Sequence, residues 1–297
     1  MSVIRLATRR SPLALAQARL VQAHFAVLGL DCELVGLETT GDRLSSEDLS
    51  TLGGQGVFAI EIQRAVLSGD ADVAVHSAKD LPSSCPEGLV LSCVPERRDP
   101  ADVLVGRSLA GLGPGATVAT GSPRRRALLL ERRPDINVVA LRGNMATRLD
   151  AIGRDGVDAV IAAAAALDRL GWTSRVAERF DPTWFVPQVG QGALALEARC
   201  DDETTLALLK QINNDSAFTA LQCERAFLRE LGAGCSVPVA AYATVSGGNV
   251  SVSGVMARAD GSQIVRHSES GTDAQTLGTQ LARVLRDELG GGELVSS

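Results

Sequence analysis

The chain has 297 residues and a formal net charge of −6, with 45% hydrophobic, 22% charged and only 3% aromatic residues. These values are ordinary for a folded protein of two or three domains, and the acidic balance argues against wholesale binding to nucleic acid. No apolar run approaches the roughly 18 residues needed to span a bilayer, and the arginine-containing N-terminus does not resemble a signal peptide.

The first part of the chain alternates predicted strands with predicted helices. Residues 3–7 predict a buried strand, and Ser11-Pro12 predicts a helix start, because serine caps a helix and proline fits its first turn. Further strands are predicted at 32–38, 72–76 and 89–94, and a helix at 57–69. This alternation predicts an α/β lobe with a parallel sheet.

The same order recurs from residue 116. A strand at 116–120 leads to Ser122-Pro123, which predicts the start of a second helix. Strands at 137–141 and 158–163 and a helix at 144–154 complete a second doubly wound lobe. The segment 186–199 is turn-rich and then strand-like, and we expect it to return to the first lobe.

The last third of the chain has a different order of predicted helices and strands. A predicted helix at 216–231 precedes three strands separated by turns, and a final helix is predicted at 275–289. Clustered strands beside flanking helices predict a small α+β domain. The predicted domains are 1–95 with 193–210, 99–187, and 215–297.

Arginine is unevenly distributed, with eight arginines against three acidic residues in the stretch 119–154. Arg124 and Arg125 fall in the first turn after Ser122, where the helix dipole disfavours cations. An anion bound at this helix start would account for them, and a solvated helix face is the alternative.

Other arginines also follow predicted strands, at the edge where open α/β sheets bind ligands. Arg9, Arg142 and Arg148 lie at such positions. Guanidinium groups suit carboxylates, and the stretch 80–209 contains no lysine, so the predicted ligand is a polyanion with several carboxylates.

Two residues are candidates for chemistry. Asp80 follows the strand at 72–76, where a carboxylate either serves as a turn residue or lies at the cleft edge to donate a proton or stabilise a cation. Cys235 lies in a glycine-rich loop and is the best placed of six cysteines to carry a covalent group, although most single cysteines are structural. No histidine lies near Cys235 in the sequence that could act as a hydrolase-type base.

The six cysteines form no CxxC pair and have no histidine cluster beside them, so no metal site is predicted. Scattered thiols without an export signal predict a cytoplasmic protein. The polar stretch 41–56, with three glycines near its end, is predicted to be a lid, and a passive surface loop is the alternative.

Eight segments resemble signatures of the porphobilinogen deaminase family, and their common order along the chain carries the resemblance. They are ATRRSPLALAQ (7–17), TTGDR (39–43), GGQGVFAIEI (53–62), DVAVHSAKDLP (72–82), TGSPRRRA (120–127), LRGNMATRLD (141–150), VPQVGQGALALE (186–197) and ERAFLRELGAGCSVPVA (224–240).

The resemblance implies two lobes similar to type II periplasmic binding proteins and a third domain that carries a dipyrromethane cofactor covalently on Cys235. It implies a monomeric transferase that condenses four porphobilinogen molecules, releases ammonia and forms hydroxymethylbilane for porphyrin and haem biosynthesis. Porphobilinogen bears acetate and propionate groups, which agrees with the polyanion predicted from the arginines.

The resemblance also implies individual roles. Asp80 matches the catalytic carboxylate, which helps to protonate the departing amine and then stabilises the positive pyrrole nitrogen, and Lys79 lies beside it. The implied cofactor-binding residues are Cys235, Ser11, Lys79, Asp80, Thr120, Ser122, Arg124, Arg125 and Arg142, and the implied substrate-binding residues are Arg9, Arg148 and Arg169.

Three positions depart from the family pattern. Gln55 stands where the family usually has lysine, Asn214 lies where an Asn-His pairing is common, and Pro123 replaces a small residue. None of them falls on Asp80, on Cys235 or on the main arginine set.

Two other classes of protein fit part of the sequence. A non-catalytic solute-binding protein would explain two lobes and the arginines but not a third domain with a loop cysteine. A nucleic-acid-binding protein would explain the arginine-rich stretch but not the net charge of −6 or the scarcity of aromatic residues.

Overall fold

A computed structural model describes residues 3–39, 56, 58–232 and 237–295. Internal contacts divide the chain into two compact units, Met1–Arg98 with Ala193–Phe218, and Asp99–Gly192 with Thr219–Ser297. The predicted boundaries of a separate domain at 215–297 remain a prediction. In the ranges described, no helix is both long and apolar enough to cross a bilayer.

The first unit is built on a five-stranded sheet. Its elements are β1 (Ile4–Arg9), α1 (Pro12–Val27), β2 (Cys32–Leu37), α2 (Ile60–Leu67), β3 (Val73–Ser77), β4 (Leu89–Cys93), β10 (Leu194–Arg199) and α6 (Glu203–Gln211). The strand order is β2-β1-β3-β10-β4. Phe25 of α1 packs against Leu6, Val73 and Leu196 in the core of this sheet.

The predicted helix start at Ser11 is confirmed. The Ser11 Oγ accepts a hydrogen bond from the backbone N–H of Ala14 at 3.3 Å, and Pro12 occupies the first helical position. The cap fixes where the chain turns from β1 into α1, and it leaves Arg9 at the end of the strand.

The second unit contains another five-stranded sheet. Its elements are β5 (Asp102–Val105), β6 (Thr117–Ala119), α3 (Pro123–Arg132), β7 (Asn137–Val139), α4 (Met145–Asp150), β8 (Ala159–Ala163), α5 (Ala164–Arg169) and β9 (Val176–Arg179). The strand order is β7-β6-β8-β5-β9. Ser122 caps α3 as predicted, since its Oγ accepts from the backbone N–H of Arg125 at 3.4 Å.

The prediction of wholly parallel sheets is wrong for one strand in each sheet. β10 is antiparallel to β3 and β4, and β5 is antiparallel to β8 and β9. Each of these strands begins just after the chain passes from one unit into the other. A strand that enters this way is not joined to its neighbour by a strand-helix-strand crossover, which is the connection that makes neighbouring strands parallel.

The C-terminal part of the second unit contains an antiparallel sheet with helices packed on it. Its elements are α7 (Asp215–Leu231), β11 (Val239–Ser246), β12 (Asn249–Ala257), β13 (Ile264–Gly271), α8 (Ala274–Arg283), a π-helical turn at Val284–Glu288 and α9 (Gly291–Val295). The strand order is β11-β12-β13. A Cβ atom added at Gly278 of α8 would collide with the backbone oxygen of Cys223, so glycine permits the close approach of α8 to α7.

The predicted fold class of two α/β lobes with a small α+β part is confirmed by these three sheets. The return of 186–199 to the first lobe is also confirmed, because β10 lies between β3 and β4. The strands β5 and β9 and the helix α6 are not predicted from the sequence. Cys235, Gln55 and all of the predicted lid except Gly56 lie outside the described residues.

Candidate active site and anion-binding residues

A pocket in the first unit collects residues from the strand ends of the sheet. Arg9, Ser11, His76 and Asp80 line it, together with Gln17 of α1. Asp80 ends a single 3₁₀ turn, Ala78–Asp80, which directly follows β3. The sheet thus brings together three of the predicted site residues of this unit.

Asp80 is the open carboxylate of this pocket. Its side chain is exposed, and among the described residues it has neither a hydrogen bond nor an ion pair. A carboxylate that the protein does not neutralise remains available to a cationic or hydrogen-bonding ligand.

The remaining pocket side chains are held by contacts within the unit. The guanidinium of Arg9 lies 4.0 Å from the ring centre of Phe58, and the Gln17 side-chain amide donates a hydrogen bond of 2.6 Å to the Ser77 Oγ. These contacts restrict the side chains before any ligand binds, which lowers the entropic cost of binding.

A buried contact between histidine and glutamate, which the sequence did not predict, lies beside this pocket. The Nε2 of His76 is 3.2 Å from the Oε2 of Glu197, and both side chains are almost fully buried. The Gln63 amide donates to the same carboxylate oxygen at 2.9 Å. Burial alone would raise the pKa of Glu197, but the neighbouring His76, Gln63 and Cys85 side chains hold this pKa below its ordinary value.

In the second unit, Arg124 and Arg125 turn inward from the first turn of α3 and form a buried cluster with Asp102. Arg124 Nη1 lies 2.8 Å from Asp102 Oδ2, and Arg125 Nη2 lies 2.7 Å from Asp102 Oδ1. Asp102 is 0% exposed, Arg124 3% and Arg125 6%. The alternative of a solvated helix face is therefore wrong for both arginines.

The charges of this cluster are strongly coupled. Burial alone would raise the pKa of Asp102, but Arg124 and Arg125 outweigh it and bring the pKa down to about 2. Gln191 also donates a hydrogen bond of 3.0 Å to Asp102 Oδ1. The cations at this helix start thus have an anion from the chain itself.

The two arginines differ in the donors that they keep. Arg125 donates to Asp102, to the backbone oxygen of Ile161 at 3.0 Å and to Gln191. Arg124 binds Asp102 and the backbone oxygen of Val186, but its Nε and Nη2 are buried without a hydrogen-bond partner among the described residues. Unpaired buried donors are costly, and a ligand carboxylate would satisfy those of Arg124.

Among the other predicted site residues of this unit, the three arginines are more accessible and Thr120 is buried. Arg142 is exposed and has no partner among the described residues, whereas Arg148 Nε donates to the backbone oxygen of Gly143 at 2.8 Å. Arg169 Nη2 donates to the backbone oxygen of Gly192 at 2.8 Å. Thr120 is buried, and its Oγ1 accepts from the backbone N–H of Ser122 at 3.3 Å.

Two predicted site residues remain. Cys235 lies outside the described residues, and Lys79 is half-buried and precedes Asp80. The sequence contains a partial signal for Asp102, because a nearby anion favours two cations in the first turn of a helix. The sequence contains no such signal for Glu197, which lies in a strand of mostly buried apolar residues. No group of three or more metal-ligating residues occurs in the described ranges.

Comparison with known families gives two matches along the chain. The family described as "Porphobilinogen deaminase, dipyromethane cofactor binding domain" matches residues 4–207. The family described as "Porphobilinogen deaminase, C-terminal domain" matches residues 218–287. Together they include the Asp80 pocket, the Asp102 cluster and the segment that contains Cys235.

Individual proteins give the same result. The chain is 42% identical over 295 residues to a porphobilinogen deaminase of Bacillus pumilus, covering 97% of this chain and 95% of that protein. It is 43% identical to one of Syntrophotalea carbinolica, over 96% of this chain and 92% of that protein. Among solved structures, a periplasmic substrate-binding protein of an ABC transporter from Coxiella burnetii has a TM-score of 0.44 and 13% identity, over 71% of this chain and 92% of that one.

Proposed function

The chain belongs to the porphobilinogen deaminase family, whose activity is to condense porphobilinogen into hydroxymethylbilane, and we propose that Asp80 is the carboxylate that acts at each condensation. The observation that carries this proposal is the open carboxylate of Asp80 in a pocket that also contains Arg9 and Ser11. Most other aspartates near the strand ends, such as Asp72 and Asp102, are occupied by arginines.

The residues present fit a dipyrromethane cofactor with several carboxylates. Among the described residues Arg142 is exposed without a partner, and the buried Nε and Nη2 of Arg124 need acceptors. Carboxylates would accept hydrogen bonds from both side chains. Cys235 would hold the cofactor covalently, and the bound cofactor would supply the nucleophilic carbon to which the first substrate is joined.

Asp80 performs two tasks in the proposed mechanism. It passes a proton to the amine that leaves the substrate as ammonia, and its carboxylate then stabilises the positive charge that develops on the substrate pyrrole nitrogen. Because Asp80 has no counter-ion of its own among the described residues, its charge is not already neutralised when the substrate binds.

The arginines bind carboxylates and orient the pyrrole rings. We assign Arg124, Arg125 and Arg142 to the cofactor, with Ser11, Lys79, Thr120 and Ser122, and we assign Arg9, Arg148 and Arg169 to substrate. Arg125 differs from the others because its donors already bind Asp102, Ile161 and Gln191, so its contribution is to hold the cluster beside Arg124.

Further parts of the proposal follow from family membership and the sequence. The working domains are 1–95 with 193–210, 99–187, and 215–297. The protein is proposed to act as a cytoplasmic monomer, without a nucleic-acid or membrane partner and without a metal.

Intact-mass spectrometry of the purified protein tests the proposal together with an activity assay on porphobilinogen. We expect the protein to be heavier than its sequence by one dipyrromethane unit and to release hydroxymethylbilane and ammonia. The Cys235→Ser variant should lack both the added mass and the activity. An active protein of unmodified mass would refute the assignment, and an inactive one of unmodified mass would favour a solute-binding protein.

A further inference from the structure

The His76–Glu197 pair is a buried histidine–carboxylate contact to which the mechanism above gives no task. Its side chains are 6% and 1% exposed, and 3.2 Å separates the His76 Nε2 from the Glu197 Oε2. Burying a carboxylate costs several kcal/mol unless charges and hydrogen bonds compensate, so such a pair is seldom a neutral feature of a fold.

Glu197 joins three different parts of the first unit. Gln63 of α2 donates to its Oε2 at 2.9 Å, and His76 belongs to β3. Cys85, in the loop between Asp80 and β4, also forms a hydrogen bond with this carboxylate. One buried carboxylate thus restrains the strand before the Asp80 turn and the loop after it.

His76 connects this buried carboxylate to the pocket, because its side chain lines the same pocket as Asp80. It is separated from the 3₁₀ turn of Asp80 only by Ser77, whose Oγ accepts the hydrogen bond from Gln17. The charged groups that line the pocket with His76 are Arg9 on β1 and Asp80 itself.

We propose that the His76–Glu197 pair is the positioning element of the Asp80 pocket, in which the buried carboxylate fixes the imidazole that forms part of the pocket wall. Through His76 and Cys85, Glu197 holds both ends of the segment that carries Asp80. The inference rests on the proposed function, because it concerns how Asp80 is presented to substrate.

The kinetic test compares Glu197→Gln and His76→Gln with the wild-type protein. Both substitutions keep a polar side chain of similar size but remove the contact between imidazole and carboxylate. We expect kcat to fall roughly 10-fold in each, with KM changed less than about twofold, because the bound substrate meets a misplaced carboxylate rather than a weaker binding site. The double variant should lose no more than either single variant, because the two residues act as one unit.

The matched control is Glu269→Gln. Glu269 forms a partly buried pair with His267 on β13, at 2.9 Å, outside the first unit. This variant removes the same kind of pair from a place where no role in the pocket is proposed, and its kcat should equal that of the wild type.

A spectroscopic measurement separates positioning from general stability. The chain has only three histidines, so the imidazole signals in a nuclear magnetic resonance spectrum can be assigned by substitution. In Glu197→Gln we expect the chemical shift of the His76 signal to change, while the His24 and His267 signals stay unchanged. The cofactor mass should remain present, since the pair does not bind the cofactor.

The outcomes are distinguishable from failure of the proposed function. An inactive wild-type protein of unmodified mass would overturn the function. If the wild-type protein is active, an unchanged kcat in both Glu197→Gln and His76→Gln would overturn only the positioning role. Additive losses in the double variant would overturn that role as well. If Glu197→Gln does not fold, His76→Gln decides the question by the same kinetic split.

Discussion

Asp80 and Asp102 show two opposite uses of an aspartate beside a strand end. Asp80 follows β3, is exposed and has no partner among the described residues, whereas Asp102 begins β5, is fully buried and pairs with Arg124 and Arg125. The difference lies in whether the chain itself supplies the counter-ion. A carboxylate that pairs with arginines of the same chain stabilises the fold, whereas an unpaired carboxylate is available to act on a ligand.

Asp102→Asn should give the largest effect, on stability. Removing one member of a buried ion pair leaves uncompensated charge, and we expect a loss of about 3–5 kcal/mol in the free energy of unfolding. Urea denaturation measures it. As a control, Asp72→Asn removes the partly exposed partner of Arg5 and should cost about 1 kcal/mol or less. Equal losses in the two variants would contradict the contrast between a fully buried and a partly exposed paired carboxylate.

Asp80→Asn should give the next largest effect, on activity and not on stability. We expect turnover to fall at least roughly 100-fold, the usual scale for removal of an acid–base group. Its midpoint of thermal unfolding should match that of the wild type, since Asp80 has no partner among the described residues. Near-normal turnover would return Asp80 to the role of a turn residue.

The pH dependence of stability should distinguish the same two carboxylates. The folded pKa of Asp102 is about 2, below its ordinary 3.8. A depressed carboxylate pKa contributes stability that is present above pH 4 and is lost as the pH falls from about 4 to about 2. The contribution is about 2 kcal/mol, and Asp102→Asn should lack this part of the acid-induced loss. Identical acid unfolding profiles of wild type and variant would contradict it.

The arginines allow a finer comparison of buried and exposed cations. Arg124→Leu and Arg142→Leu should both impair cofactor loading, but only Arg124→Leu should also lower stability, because Arg142 is exposed. Arg169→Leu should chiefly slow elongation after loading. Intact mass measures loading, and the accumulation of partly elongated enzyme measures elongation. Small and equal effects in all three variants would favour a purely structural role.

The smallest expected effect concerns the predicted lid. Arg43 is the only lysine or arginine in the stretch 41–56, so trypsin can cut there only at the Arg43–Leu44 bond. We expect early cleavage in the resting enzyme and cleavage slowed a few-fold in trapped elongation intermediates. Equal rates in the two states would leave the stretch a passive surface loop.

The sequence predicted the helix starts well because their signals are local. Ser11 and Ser122 each cap the helix that follows a strand, and both caps require only residues within three positions. The same local signals could not tell where Arg124 and Arg125 would point, since their partner Asp102 lies about 20 positions away. Asp80 and Arg142 were candidates because each follows a predicted strand, and only the family resemblance implied their roles, because an exposed group leaves no trace in hydrophobic periodicity.

Glu197 was predicted neither from local sequence patterns nor from the family resemblance. It occupies a buried position of β10, where pattern alone predicts an apolar residue, and its partners come from α2, β3 and the loop before β4. Only the register of β10 against β3 places Glu197 within reach of His76. That register joins segments about 120 residues apart and cannot be read from either segment.

The position of β10 also sets the order in which the molecule can be completed during synthesis. β10 separates β3 from β4, so the first sheet lacks an internal strand until residue 199 has been made. All five strands of the second sheet lie between residues 102 and 179 and are available earlier. Of the two five-stranded sheets, the one that is started first on the ribosome is therefore completed second. Its strand edges remain unpaired for longer than those of the other sheet.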